Sequence, residues 1–321
     1  MIEYIDNSEI RRKLSLIKKV AVIGSGTMGH GIAQVFAAAQ CQVKIYDLRE
    51  DLLLKAERMI IQNLEMMKKE SYINSGEQKE TLAMLSYSTD LFEAVHEADL
   101  IIEAIPEVLE FKHQLFQLLE TMIRSTAIIA SNTSTFPISK LAEACTFSER
   151  LLITHFFNPA HLVKLVEVVK HEDTLPWAAE EVINLLKAAG KKVVMLNKDI
   201  PGFIANRLQA AVVREAFYLL EEGIANADDI DQVMSEGPGM RWALNGPLRI
   251  ADMGGLDIWE KVTGNLFPEL DCSTEAPRFI VESVKQGNLG AKTGRGIYEY
   301  SGTGDGASDI RDKQLIHLLK M

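Results

Sequence analysis

The chain has 321 residues, 47% hydrophobic and 25% charged, a balance that excludes intrinsic disorder and leaves room for two domains or one large α/β domain. A net charge of −11 argues against nucleic-acid or anionic-membrane binding, so any anionic ligand must be held by local groups. No apolar run reaches the ~18 residues of a spanning helix, and the acidic start Met1–Asp6 leads us to expect no secretory leader. Cys41, Cys145 and Cys272 lie far apart without metal-ligand spacing, which speaks against a disulfide framework or zinc site and for a reducing cytoplasm.

Along the chain the apolar pattern changes period repeatedly. Lys19–Gly24 is a short buried-strand run, followed by glycines and a helical stretch from Met28 to Ala39. Gln42–Asp47 is a second strand, and Glu50–Lys69 an amphipathic helix. Asp99–Ala104 and Ala127–Ser131 read as further buried strands with a helix between them. Leu151–Phe156 and Val163–Val169 follow, then a helix over Leu175–Ala189 and a closing strand at Lys192–Leu196. Continuous apolar strands alternating with helices predict a doubly wound, mostly parallel α/β sheet covered on both faces. Asn197–Gly202 supplies turn chemistry, and beyond it the pattern is mainly helical, beginning with Ile204–Gly223. We therefore expect a Rossmann-type domain over 1–198 and a smaller all-helical domain over 199–321, with Ser301–Ser308 as a loose loop.

Gly24-Ser25-Gly26-Thr27-Met28-Gly29 fits G-x-G-x-x-G directly after a strand and at a helix start. In such a turn Gly24 makes the bend, Gly26 lets a pyrophosphate approach the backbone and Gly29 allows close helix–strand packing, while the helix N-terminus offers free N–H groups. Asp47 closes the second strand where a carboxylate would accept the adenosine ribose hydroxyls and repel a 2′-phosphate, which favours NAD over NADP. Arg49 nearby leaves some tolerance for NADP.

Among the seven histidines, His155 stands apart, at the end of an apolar strand that would deliver it to the carboxyl edge of the sheet, where ligands of open α/β folds bind. Glu167 lies inside the next apolar strand. A buried carboxylate needs a partner, and pairing with His155 would fix the imidazole tautomer and raise its basicity for work as a general base. Ser131–Ser134 follows another buried strand; its hydroxyls suit a nicotinamide ribose, a substrate oxygen or simple helix capping. Asn206 opens the second domain and faces either the cleft or solvent.

Together, Gly24–Gly29 with Asp47, Glu103–Glu107, Ser131–Ser134, His155–Pro159, Lys164–Glu167, Pro201–Arg207 and Lys292–Tyr298 resemble the L-3-hydroxyacyl-CoA dehydrogenase and 3-hydroxybutyryl-CoA dehydrogenase family of fatty acid metabolism, from about Lys18 to Tyr300. The resemblance implies NAD as cofactor, no metal, and hydride transfer from C3 of a short-chain 3-hydroxyacyl-CoA. It makes His155 the base and Glu167 its orienter, with Ser134 and Asn206 holding the reacting oxygen. Glu107, Lys112, Ser134, Asn158 and Lys292 match positions near the nicotinamide, and the helical domain implies a homodimer.

Three features depart from that pattern. Arg241 and Trp242, within Gly237–Pro247, resemble the carnitine and gulonate dehydrogenase branch, where a guanidinium could grip a free carboxylate and the indole wall a pocket; packing at an interface is the other reading. The helix after Asp47, where the resemblance places a serine and a lysine against CoA, reads Asn63–Glu70, with Asn63 at the serine position and the lysine shifted or absent. The N-terminal stretch Met1–Ile17 has no assigned role beyond a packed arm. A free hydroxy acid such as L-carnitine or L-gulonate is thus the second substrate class, and a non-catalytic, lens-crystallin-like protein the third reading, against which the retained His155, Glu167 and Asn158 speak.

Overall fold

The computed structural model describes residues 16–300 and 305–320. Its sheet has eight strands: β1 (Lys19–Ile23), β2 (Gln42–Tyr46), β3 (Leu85–Ser88), β4 (Leu100–Glu103), β5 (Ile128–Ser131), β6 (Leu151–Phe156), β7 (Leu165–Lys170) and β8 (Lys192–Met195), in the order β3-β2-β1-β4-β5-β6-β7-β8. Strands β1 to β6 run parallel, β7 pairs antiparallel with β6, and β8 runs parallel to β7. The strand order reverses between β1 and β4, the place where open α/β sheets leave a crevice at the carboxyl edge.

Helices α1 (Gly29–Ala38), α2 (Glu50–Lys69), α3 (Ser75–Ala83), α4 (Leu91–Val95), α5 (Leu109–Glu120), α6 (Ile138–Ala142) and α7 (Pro176–Ala188) connect the strands. Both faces of the sheet are covered, and successive strand residues divide between two cores. Val20 and Val22 pack on one side with Ile32, Phe36, Leu64 and Phe156, whereas Ala21 and Ile23 pack on the other with Ile101, Phe116 and Leu151. This two-sided burial explains why the strands read as unbroken apolar runs.

Edge strand β3 and the short helices α3 and α4 were not foreseen in the sequence. Only Ser88 of β3 is buried, so its four residues carry no apolar signature. Helix α3 declares itself instead through its cap, where Asn74 accepts the Gly76 and Glu77 N–H groups and Glu77 reaches back to the Asn74 N–H.

By its contacts the chain divides after Ile204 rather than near 198, and the second unit ends at Asp309. Phe203 is fully buried with the first unit's core, and the Ile204 N–H donates to Glu167 Oε1 at 3.0 Å, so the connection stays with the sheet past the Pro-Gly turn. At the other end, contacts group Ile310–Met321 with the first unit, although 199–321 was expected to be the helical domain. Of the expected loop Ser301–Ser308, residues 301–304 lie outside the described residues, and the chain is helical from Asp305.

The second unit holds α8 (Ala205–Glu221), α9 (Ala227–Met234), a π-turn over Ser235–Gly239, α10 (Met240–Gly254), α11 (Leu256–Leu266) and α12 (Arg278–Lys285). Helix α10 breaks at Gly246 (φ 67°, ψ 162°), just before Pro247. The last helix, α13 (Asp305–Leu319), buries Ile316 completely in the first unit's core, with Leu315 and Leu319 beside it.

Candidate active site at the carboxyl edge of the sheet

The glycine turn between β1 and α1 is shaped by backbone crowding. Gly24 has φ +97°, and a Cβ there would lie 2.5 Å from the Ala104 carbonyl oxygen; a Cβ on Gly29 would lie 1.7 Å from the Gly24 carbonyl oxygen. Both glycines are required by the fold itself. Gly26 differs, since a Cβ there would meet nothing within 4 Å. Its bareness leaves open backbone beside the α1 N-terminus, which no side chain caps and where Thr27 is exposed and Met28 half-buried. Unfilled space at an uncapped helix N-terminus fits a pyrophosphate.

Asp47 follows β2 directly and faces this turn. Its Oδ2 accepts the Ser25 N–H at 2.8 Å and the Ser25 hydroxyl at 2.6 Å, and Oδ1 accepts the Leu48 N–H at 2.8 Å. A carboxylate offers about four acceptor positions, so one remains for a ribose hydroxyl. The Arg49 guanidinium is engaged by Asp51 through Nε at 2.8 Å and through Nη2.

The ends of β4 and β5 are joined by a buried ionic network. Glu103 (0% exposed) takes the Lys112 ammonium at 2.7 Å and the Ile105 N–H at 2.9 Å on Oε1, and the Ser131 hydroxyl on Oε2. Lys112, only 1% exposed, also lies 3.2 Å from Glu107 Oε2. The other Glu107 oxygen accepts the hydroxyls of Thr133 (2.6 Å) and Thr135 (2.8 Å) and the N–H groups of Ser134 (2.9 Å) and Thr135 (3.0 Å). Burial alone pushes the Glu107 carboxyl up, but the Thr133 hydroxyl, the Lys112 ammonium and the Thr135 and Ser134 donors outweigh it and hold it at about 2. Glu107 is therefore a fixed anion over the whole working pH range.

His155 and Glu167 face each other in the antiparallel β6–β7 register. His155 Nδ1 lies 2.9 Å from Glu167 Oε2, and both residues are buried. Glu167 Oε1 is occupied by the Ile204 N–H, while Phe157 and Phe203 flank the imidazole with ring centroids 4.4 and 5.4 Å away. Asn132 Oδ1 accepts the Phe156 N–H at 3.0 Å, which ties the β5 turn to the end of β6.

Within the first unit, then, Gly24–Gly29 and Asp47 follow β1 and β2, Glu107 and Ser134 follow β4 and β5, His155 lies near the end of β6 opposite Glu167 of β7, Lys112 lies in α5, and Asn158 is exposed in the turn after β6. In the second unit Asn206 occupies the first turn of α8, Arg241 is exposed and Trp242 half-buried in the first turn of α10, and Lys292 is exposed in the short turn Ala291–Thr293. Sequence reasoning gave Glu103 and Asn132 no role, and took Ser131 only as one of several hydroxyls in the Ser131–Ser134 turn. Glu103 was detectable by the same signal that singled out Glu167, a carboxylate at the end of an apolar strand.

Among the described residues no cluster of His, Cys, Asp or Glu could hold a metal ion, and no helix is long and apolar enough to cross a membrane. The chain matches the family model of the 3-hydroxyacyl-CoA dehydrogenase NAD-binding domain over residues 19–200, and that of the C-terminal domain of the same family over 202–300. It is 40% identical over 298 residues to the mitochondrial hydroxyacyl-coenzyme A dehydrogenase of Rattus norvegicus, covering 90% of this chain and 93% of the rat protein. A solved structure of (S)-3-hydroxybutyryl-CoA dehydrogenase from Ralstonia eutropha superposes with a TM-score of 0.73 at 33% identity, over 89% of this chain and 100% of that one. An NAD+-dependent dismutase, 5-formyl-3-hydroxy-2-methylpyridine 4-carboxylic acid 5-dehydrogenase, superposes with a TM-score of 0.87 at 30% identity, over 95% of this chain and 98% of that one. With both halves matched in order and a nucleotide turn of fitting shape, the chain belongs to the 3-hydroxyacyl-CoA dehydrogenase family and is an NAD-dependent oxidoreductase.

Proposed function

We propose that this enzyme oxidises the 3-hydroxyl of a short-chain (S)-3-hydroxyacyl-CoA, 3-hydroxybutyryl-CoA to acetoacetyl-CoA in the simplest case, with His155 as the base. The observation that carries this reading is the His155–Glu167 pair. With the Nδ1 proton donated to Glu167 Oε2 at 2.9 Å, the lone pair is left on Nε2, free to take the hydroxyl proton. Glu167 then stabilises the imidazolium. Its second oxygen is held by the Ile204 N–H, so it cannot swing away. Phe157 and Phe203 limit water around the ring. Ser134 and Asn206 are assigned to the reacting oxygen. NAD, when bound, accepts the hydride; Gly24–Gly29 and Asp47 hold its adenosine diphosphate half, and Glu107, Lys112, Ser134, Asn158 and Lys292 its nicotinamide half.

Specific observations favour a second reading, a free hydroxy acid of the carnitine or gulonate type. Asn63, at the position the family resemblance gives to a CoA-contacting serine, is buried; it donates to Gln34 Oε1 at 3.1 Å and lies 3.5 Å from His161 Nδ1. Burial pushes the His161 imidazole down to about 3, so it is a neutral acceptor there. Glu70, two turns further on, is paired at 2.9 Å with His317 of α13. The likeness to a dehydrogenase named for a pyridine carboxylic acid adds to this reading. Following NADH absorbance decides between the two. Turnover of acetoacetyl-CoA with NADH, without turnover of free 3-hydroxybutyrate, L-carnitine or L-gulonate with NAD, supports the thioester; turnover of a free acid alone removes it.

The helical unit supports a homodimer. None of its α-helices contains a buried residue, and Leu244, Leu248 and Met253 of α10 stand 81, 86 and 71% exposed. Apolar surface on this scale marks an association site. Sedimentation equilibrium should give twice the 35.8 kDa chain mass, and Leu248→Glu should shift the protein toward the monomer; a monomeric wild type ends this assignment.

A further inference from the structure

We propose that Glu103 is a positioning residue for the nicotinamide half of the cofactor site, acting through Lys112 and Ser131 and never touching the cofactor itself. The inference rests on the reading that Glu107 and the Ser131–Thr135 turn face that half.

Glu103 is the last residue of β4, in register with Ile23 on one side and Ser131 on the other. It thus sits between the end of β1, one residue before the glycine turn, and the end of β5. Its carboxylate joins it to β5, and its backbone to β1. The Ala104 N–H that follows it donates to the Ile23 carbonyl, and the Ala104 carbonyl packs against Gly24. Oε2 holds the Ser131 hydroxyl, whose oxygen in turn accepts the Thr133 N–H at 3.2 Å. Oε1 holds the Lys112 ammonium, and Lys112 reaches onward to Glu107.

Glu107 and Ser131 together accept five bonds from the 133–135 turn, and both lead back to Glu103. Lys112, exposed by only 1% and engaged by two carboxylates, takes its part in holding the nicotinamide half through Glu107. Lys112 serves as the strut between a buried carboxylate and a half-exposed one. If Glu103 is neutralised, the buried ammonium keeps only Glu107, whose remaining freedom is then spent on Lys112 rather than on the turn.

Calorimetric titration of the full chain with NADH and with ADP-ribose tests this, because ADP-ribose lacks the nicotinamide. Glu103→Gln keeps the side-chain shape but removes the charge, and is expected to weaken NADH about tenfold while ADP-ribose affinity stays within about twofold of wild type. Ser131→Ala removes one hydroxyl, with the bond it gives Glu103 Oε2, but leaves the Glu103 and Lys112 charges in place. It should reproduce the selective loss at about threefold, and it decides the matter if Glu103→Gln fails to fold. Equal loss of both ligands would reduce Glu103 to a purely structural role, and unchanged NADH affinity in both variants would equally overturn the proposal. If wild type binds no ADP-ribose, the cofactor-site reading falls first and takes this inference with it.

Discussion

His155→Gln is expected to lower kcat by roughly 10²–10⁴ with NAD affinity and melting temperature close to wild type. Glutamine fills much of the space between Phe157 and Phe203 and can still bond to Glu167, so the buried carboxylate keeps a partner. What it lacks is a ring nitrogen that takes a proton. Glu167→Gln should show the complementary defect: the imidazole remains, but its Nδ1 proton and its developing charge lose their acceptor, and kcat falls by roughly 10²-fold or more. Steady-state kinetics with NADH absorbance, alongside NAD titration, makes the comparison. Near-normal turnover of His155→Gln would remove the imidazole from the chemistry and leave the pair as a core ion contact.

The second large effect separates two glycines that the fingerprint treats alike. Gly29→Ala places a methyl group 1.7 Å from the Gly24 carbonyl oxygen, backbone against backbone. Nothing flexible can yield, so helix α1 must shift from the sheet. We expect a destabilisation of about 3 kcal/mol, read as a lowered melting temperature without any ligand. Gly26→Ala meets no protein atom within 4 Å, so thermal stability should hold while NAD binding weakens at least about tenfold, because the added methyl occupies the approach to the α1 N-terminus. Differential scanning calorimetry and NAD titration on both variants give the answer. Should Gly26→Ala bind NAD normally, the pyrophosphate lies elsewhere.

The legible and the hidden parts of this molecule divide by the range of the interactions that define them. The Rossmann core could be read because β1, β4, β5 and β6 are buried on both faces, which forces unbroken apolar runs, and because Gly24 and Gly29 satisfy local backbone constraints. The His155–Glu167 pair was inferable since each residue is polar within an apolar strand, and only another polar group makes that tolerable. Edge strand β3 left no such trace, being half solvated and only four residues long. The contacts carry the first unit a few residues past the expected limit, because Asn197–Gly202 offers turn chemistry at once, whereas the contacts holding Phe203 and Ile204 to the sheet come from residues far away in the chain. Glu103 carried the same sequence signal as Glu167, but its partners Lys112, Ile105 and Ser131 converge on it only in the fold.

Helix α13 changes what the ends of this chain mean. Since Ile316 is sealed in the core of the nucleotide-binding unit and His317 is paired with Glu70, the helical unit is topologically an insertion, entered after Ile204 and left before Ile310. The family match stops at residue 300, yet a chain cut there would lose a piece of the first unit's interior, not a fringe of the second. Severing the second crossing, at Asp309–Ile310, would accordingly detach a helix of the nucleotide-binding core while the first, at Ile204–Ala205, still joined the two units.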